Sequence, residues 1–115
     1  MSLSNILGLG GNVPLPTIDH DALERAVTRG SCCIVDVREP HEYAEGHIPG
    51  AINRPLSRFS PVADLPRDQP VVIVCLAGGR SAKALRQALD AGHKDVRHYA
   101  PGTGGWAKSG GALEK

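Results

Sequence analysis

Cys75 stands at a point in the chain where a reactive thiol is expected. It follows four apolar, mostly β-branched residues, 71–74, and it precedes Gly78, Gly79 and Arg80. A short apolar run of this kind predicts a buried strand, and paired glycines allow a turn whose backbone N–H groups point inward as an anion-binding nest. Arg80 adds a full positive charge. Since the thiolate is the nucleophilic form of cysteine, the segment predicts a nucleophilic Cys75 with a pKa below that of an ordinary thiol.

A helix is expected directly after this loop. Ser81 is predicted to cap a helix that runs to about Ala91 and stops at Gly92, so that the positive end of the helix dipole lies near Cys75. In open α/β sheets, ligand sites lie beyond the carboxyl ends of the strands. The thiol is therefore expected at a solvent-facing crevice. The alternative is a buried core cysteine followed by a structural glycine turn.

The spacing between the cysteine and the arginine separates two kinds of chemistry. Cysteine phosphatases place five residues between the two, whereas this chain has only the four residues 76–79. The smaller ring suits a sulfur atom better than a phosphoryl group. Val74 also stands where those enzymes have histidine. A Walker-type phosphate loop needs Lys followed by Ser or Thr, and Arg80 does not meet that requirement.

Length and composition describe one ordinary domain. The chain has 115 residues, of which 41% are apolar and 22% charged, as in folded globular proteins. Its 13 Lys plus Arg balance 12 Asp plus Glu, so neither nucleic acid nor a membrane is expected as a partner. No apolar run approaches the roughly 20 residues that span a bilayer, and no signal peptide is recognised. The odd number of cysteines favours a reducing, cytoplasmic setting, and the spacing of the histidines and cysteines predicts no metal site.

Alternating strands and helices predict an open, mostly parallel α/β sheet. Residues 1–16, rich in glycine and proline, are expected to be a flexible lead-in, and residues 17–115 the domain. Strands are expected near residues 32–37, 51–53, 71–74 and 96–99. Helices are expected near residues 20–29, 40–44, 56–65, 81–91 and 106–109. Cys32 and Cys33 should point to opposite faces of a strand, which makes them poor partners for one disulfide.

Three segments of the chain resemble the rhodanese family. Residues 75–81 read CLAGGRS, which is similar to the active-site loop of that family. Residues 36–56 read DVREPHEYAEGHIPGAINRPL and resemble its second signature, while residues 102–110 resemble its glycine–tryptophan stretch. The resemblance covers about residues 17–113. It implies a single rhodanese-like domain, with an open, mostly parallel five-stranded sheet and helices on both faces.

Carried over residue by residue, the resemblance makes Cys75 the residue that accepts sulfur as a persulfide. Backbone amides of the loop would surround the transferred sulfur, Arg80 would help close the loop, and Ser81 would start the next helix. The loop residues concerned are Leu76, Ala77, Gly78, Gly79 and Arg80. Asp36 and Arg38 match a charged pair of the family, and we interpret them as a structural ion pair near the crevice.

The activity that the resemblance implies is sulfur transfer, with no metal or organic cofactor. The donor would be thiosulfate or a persulfide, and the acceptor would be cyanide, a small thiol or a protein cysteine. Leu76 and Ala77 are uncharged where efficient users of thiosulfate often have basic residues, which leaves the donor open. Pro101 stands where the family often has a glycine. A non-catalytic interaction module and a phosphatase-like or arsenate-reducing enzyme are the alternatives.

Overall fold

The computed structural model describes residues 14–115, and four parallel strands form its sheet. The strands are β1 (Cys33–Asp36), β2 (Ile52–Asn53), β3 (Val71–Val74) and β4 (Val96–His98), in the order β2-β1-β3-β4. Asp36 pairs in register with Val74, so the residues that follow β1 and β3 lie at the same edge of the sheet. The predicted parallel α/β arrangement is confirmed, and this edge is the one that carries Cys75.

The expectation of five strands was wrong for the described part of the chain. Beyond β4 there is only a single parallel bridge between Thr17 and His98. The backbone N–H of Ile18 donates to the His98 carbonyl at 3.1 Å, and the His98 N–H donates to the Pro16 carbonyl at 3.0 Å. Pro14 and Pro16 have no N–H to donate, so this segment cannot extend into a ladder. Residues 1–13 of the expected lead-in lie outside the described residues.

Six helical segments accompany the strands within the described residues. They are α1 (His20–Arg29), α2 (Pro40–Glu45), a 3₁₀ turn (Leu56–Arg58), α3 (Pro61–Asp64), α4 (Gly79–Asp90) and α5 (Gly102–Lys108). Both predicted ends of α1 are confirmed. Asp19 accepts from the backbone N–H of Ala22 at the start of the helix, and Gly30 ends it with a φ of 62°. Such caps depend on neighbouring residues alone.

Two helix starts differ from the sequence predictions. The helix α4 begins at Gly79 with Gly78 as its N-cap, so Ser81 lies inside the first turn and is not the cap. The helix α5 begins at Gly102 rather than near Trp106. Three of its first four residues are glycines, which have a low helix propensity. Close packing of this segment against the loop after β3 outweighs that cost.

The sheet separates two hydrophobic clusters, one on each face. Val71 and Ile73 pack with the buried face of α4, whereas Val72 and Val74 pack with Leu23 of α1 on the opposite side. This alternation follows from the two-residue period of a strand. Cys33 packs against the first cluster and Cys32 against the second, as predicted. Helices therefore cover both faces of the sheet. None of the helices in residues 14–115 is long and apolar enough to cross a membrane.

Candidate functional site

Cys75 lies between the carboxyl end of β3 and the first turn of α4. The residue is only 1% exposed, so the prediction of a thiol facing a solvent crevice was wrong. The side chain turns inward instead, because backbone N–H groups are available there as partners. Its Sγ accepts from the N–H of Gly78 at 3.1 Å and from the N–H of Ser81 at 3.2 Å. The sulfur atom is therefore enclosed by donors at the helix start.

Gly78 gives the loop its shape. Its φ is 102°, in the left-handed region, and a Cβ on it would come within 2.5 Å of the Ala100 carbonyl oxygen. Only glycine fits this position without a shift of the backbone. Gly79 differs, because its φ is ordinary and a Cβ there would meet nothing within 4 Å. Of the two glycines that the sequence singled out, only Gly78 is required by the turn.

Hydrogen bonds determine the acidity of Cys75. Burial by itself raises the pKa of the thiol. The Ser81 hydroxyl and the backbone N–H groups of Ser81, Ala77 and Gly78 act in the opposite direction and outweigh it, so the pKa of Cys75 is lowered from its ordinary value. The sequence predicted this direction. It attributed the shift partly to the charge of Arg80, whereas the main causes that lower the pKa are the neutral donors around the sulfur.

Arg80 does not present a free positive charge to the loop. Its guanidinium donates to both carboxylate oxygens of Glu42 on α2, at 2.7 and 3.0 Å. This side-chain hydrogen bond from Arg80 is the main cause that lowers the pKa of Glu42 to about 2, so the carboxylate stays charged at neutral pH. The sequence analysis did not identify Glu42 as a partner. The pair ties α4 to α2 and neutralises the cation of the loop.

The helix α5 holds the loop from the other side. The N–H of Thr103 donates to the Cys75 carbonyl at 2.8 Å, and the N–H of Gly104 donates to the Leu76 carbonyl at 3.1 Å. A Cβ on Gly102 would clash with these same carbonyls, which explains why α5 begins with a glycine. The Leu76 side chain, 47% exposed, and the exposed Ala77 form the outer surface of the loop. That surface carries no charge.

Asp36 and Arg38 form a buried ion pair at the end of β1. Arg38 donates from Nε and Nη2 to the Asp36 carboxylate at 2.9 to 3.1 Å, and Nη2 also donates to the Gly46 carbonyl at 2.7 Å. Asn53 donates to the backbone carbonyls of both residues. The pair therefore joins β1, β2 and the end of α2. This geometry is that of an ion pair which fixes neighbouring elements, in line with the structural interpretation.

The Ser81 and His98 side chains form a hydrogen-bonded pair behind the loop, which the sequence did not predict. The Ser81 Oγ lies 3.5 Å from the Cys75 Sγ, 3.1 Å from the Gly78 carbonyl oxygen and 2.8 Å from the Nδ1 of His98. His98 is 5% exposed. Its partner across the sheet is Ile73, which packs on the α4 side. Because alternate residues of a strand face the same side of the sheet, the position of His98 in β4 is the one sequence signal that predicts its side chain beneath α4.

Among residues 14–115, no group of His, Cys, Asp and Glu side chains is placed to hold a metal ion.

The sequence and the fold of this chain are similar to those of known proteins. A protein of Allochromatium vinosum named sulfurtransferase is 33% identical over 96 residues, which cover 81% of this chain and 89% of that protein. A rhodanese-related protein of Thermoplasma volcanium has a solved structure with a TM-score of 0.76 and 27% identity, covering 86% of this chain and 97% of that one. The human single-domain sulfurtransferase TSTD1 matches with a TM-score of 0.71 and 27% identity, covering 83% and 97%.

Some curated relatives are much longer than the matching region. The chain spans 53% of a protein from Synechocystis and 51% of one from Bacillus subtilis, so it is about half the length of these relatives. The family model described as "Rhodanese-like domain" matches residues 19–109, which include residues 36–56 and the loop at residues 75–81. The chain therefore belongs to the rhodanese-like domain family.

Proposed function

We propose that this protein is a sulfurtransferase in which Cys75 carries the sulfur as a persulfide. The observation that supports it best is the set of backbone N–H groups, from Gly78 and Ser81, that point at the Cys75 Sγ. Such donors stabilise a negative charge on sulfur, in the thiolate before the reaction and in the persulfide after it. The lowered pKa of Cys75 has the same origin.

The proposed reaction has two steps. With thiosulfate as donor, the Cys75 thiolate attacks the outer sulfur, a new S–S bond forms, and the bond to the inner sulfur breaks to release sulfite. The electron pair of the broken bond leaves with sulfite. In the second step a nucleophile such as cyanide, a small thiol or a protein cysteine attacks the outer sulfur of the persulfide, and Cys75 leaves as the thiolate again. This is covalent catalysis of the ping-pong type, and it needs no metal or organic cofactor.

The loop surface favours a persulfide over thiosulfate as the donor. Arg80 is neutralised by Glu42 at 2.7 Å, and Leu76 and Ala77 present an uncharged surface. A dianion therefore meets few free positive charges near the sulfur and should bind weakly. A persulfide carries at most one negative charge on its sulfur atoms, so its binding depends less on such positive charges. The Cys75, Cys32 and Cys33 thiols are free, which suits a reducing compartment.

We assign the remaining site residues by what they contact. Gly78 and Ser81 donate to the sulfur, Leu76 and Ala77 form the outer surface that a substrate meets, and Gly79 begins α4. Arg80 closes the loop through Glu42. Asp36 and Arg38 hold β1 and α2 in place and take no part in the reaction.

Sulfur loading followed by mass measurement tests the proposal. Wild-type protein incubated with a sulfur donor should gain about 32 Da, one sulfur atom, and should lose it again when cyanide is added, with release of thiocyanate. Cys75→Ser should take up no sulfur. Cys32→Ser is the matched control, since burial raises the pKa of Cys32 and this protein should load normally. No mass gain on Cys75 with either thiosulfate or a persulfide would instead favour the non-catalytic interaction module.

A further inference from the structure

His98 reaches the reactive cysteine through one intervening hydroxyl group. It lies on β4, where its own N–H and carbonyl bond to the backbone of Pro16 and Ile18. Its side chain passes beneath the first turn of α4, and Nδ1 lies 2.8 Å from the Ser81 Oγ. That oxygen lies 3.5 Å from the Cys75 Sγ. The three side chains thus form a buried row, of which the loop motif includes Cys75 and Ser81 but not His98.

The Ser81 hydroxyl has one hydrogen and three neighbours that can accept it. They are the Gly78 carbonyl at 3.1 Å, the Nδ1 of His98 at 2.8 Å and the Cys75 Sγ. A hydroxyl donates once and accepts up to twice. If Nδ1 carries no hydrogen, it is the nearest acceptor and takes the hydroxyl hydrogen away from the sulfur. If Nδ1 carries a hydrogen, it must donate to Oγ, and the hydroxyl hydrogen is left for the sulfur or for the Gly78 carbonyl.

We infer that His98 is a positioning residue for Cys75: its Nδ1–H donates to the Ser81 Oγ and thereby directs the Ser81 hydroxyl hydrogen at the charged sulfur. The inference rests on the proposed role of Cys75 as the sulfur acceptor. A thiolate competes better for the hydroxyl hydrogen than the neutral Gly78 carbonyl does, because hydrogen bonds to charged acceptors are stronger. His98 therefore helps to keep Cys75 in its reactive form without touching it.

The surroundings of His98 suit a neutral imidazole. Burial lowers its pKa, and the positive charge of Arg86 on α4 lowers it further. A neutral ring has one N–H, so the hydrogen at Nδ1 is a choice of tautomer and not a second positive charge. On the loop side the charged groups are Arg80 and Glu42, which neutralise each other. The effect of His98 on Cys75 should therefore pass through the Ser81 hydroxyl and not through a change of charge.

Alkylation of Cys75 as a function of pH tests this inference. In a background with Cys32→Ser and Cys33→Ser, the rate with iodoacetamide reports the thiolate alone. His98→Leu should raise the pKa of Cys75 and slow alkylation at neutral pH by about fivefold. His98→Asn is the matched variant, because its amide N–H can occupy the position of Nδ1–H, and it should stay within about twofold of wild type. Equal rates in all three proteins, or an equal loss in both variants, would overturn the inference.

A double-mutant cycle separates positioning from a merely structural role. In a Ser81→Ala background there is no hydroxyl to direct, so His98→Leu should then change the pKa of Cys75 little or not at all. An unchanged effect of His98→Leu in that background would contradict the inference. If His98→Leu does not fold, ¹⁵N NMR of wild-type protein decides, since Nδ1 should carry the hydrogen when Cys75 is ionised. Alkylation does not depend on sulfur transfer, so this result is distinct from that of the loading experiment.

Discussion

Replacing Glu42 with glutamine tests whether the pairing of Arg80 controls the choice of sulfur donor. Glu42 holds the Arg80 guanidinium by two hydrogen bonds, and with a pKa of about 2 it is charged under all physiological conditions. Glutamine has nearly the same shape and still offers one oxygen to Arg80, so the loop should keep its position. The change removes the negative charge together with one of the two hydrogen bonds from Arg80, and Arg80 then acts as an uncompensated cation near the sulfur.

The magnitude follows from Coulomb's law. The Glu42 side chain is 21% exposed, so an effective dielectric constant between the protein and bulk-water values applies. For an assumed separation of about 8 Å between the guanidinium and the donor, and a dielectric constant of about 60, one unit charge and a dianion interact by about 1.4 kcal/mol. Screening leaves about 1.1 kcal/mol at 0.01 M salt and about 0.6 kcal/mol at 0.1 M. The kcat/KM for thiosulfate should therefore rise about sixfold at the lower and about threefold at the higher salt concentration.

The assay measures thiocyanate formation at thiosulfate concentrations well below KM, with ionic strength held fixed by sodium chloride. Glu24→Gln is the matched control, because Glu24 is exposed on α1 and its loss changes the net charge equally. This control should leave kcat/KM unchanged. A small persulfide donor, which carries at most one negative charge on sulfur, should show a smaller gain with Glu42→Gln. An equal gain with the persulfide donor, or no gain with thiosulfate at low salt, would refute the electrostatic account of donor choice.

Three further predictions concern the loop and its support. Gly78→Ala should lower the free energy of unfolding by about 2–4 kcal/mol and abolish sulfur loading. Gly30 also has a positive φ, 62°, but a Cβ there would meet nothing within 4 Å, so Gly30→Ala should lower the free energy of unfolding by only about 1 kcal/mol. Urea denaturation measures both values. Asp36→Asn leaves a buried guanidinium unpaired and should cost about 3 kcal/mol, so an unchanged urea midpoint would contradict the structural role. One glycine inserted between Ala77 and Gly78 should abolish sulfur transfer and strengthen phosphate binding, measured by calorimetry; retained transfer would show that ring size does not select the chemistry.

The features that were predicted correctly depend on short stretches of sequence. The strand before Cys75 is a continuous run of apolar residues, and α1 is marked by Asp19 at one end and Gly30 at the other. Both signals arise from residues within a few positions of one another, where propensity and capping act directly. The order of strand, Cys75, glycine and helix is of the same kind. It predicted the position of the candidate nucleophile without any knowledge of how distant elements pack.

The features that were missed depend on contacts between distant residues. Arg80 and Glu42 are 38 positions apart, and Ser81 and His98 are 17 apart. No periodicity or cap relates such pairs, so a charged side chain such as Arg80 looks free in the sequence even though it is paired in the fold. The burial of Cys75 has the same origin, since α5 and α4 enclose the loop only when the chain is packed.

The support of the loop by α5 accounts for a site that favours charged sulfur without free charged side chains. The Cys75 and Leu76 carbonyls accept hydrogen bonds from Thr103 and Gly104, so they are turned toward α5 and away from the sulfur. When the carbonyls of a tight loop point outward, its N–H groups face inward. In the proposed sulfur transfer these donors would be in place before any negative charge develops, so no reorganisation would be required during the reaction. The stabilisation would thus reside in backbone geometry, which would leave the side chains of Leu76 and Ala77 free to determine which donor can approach.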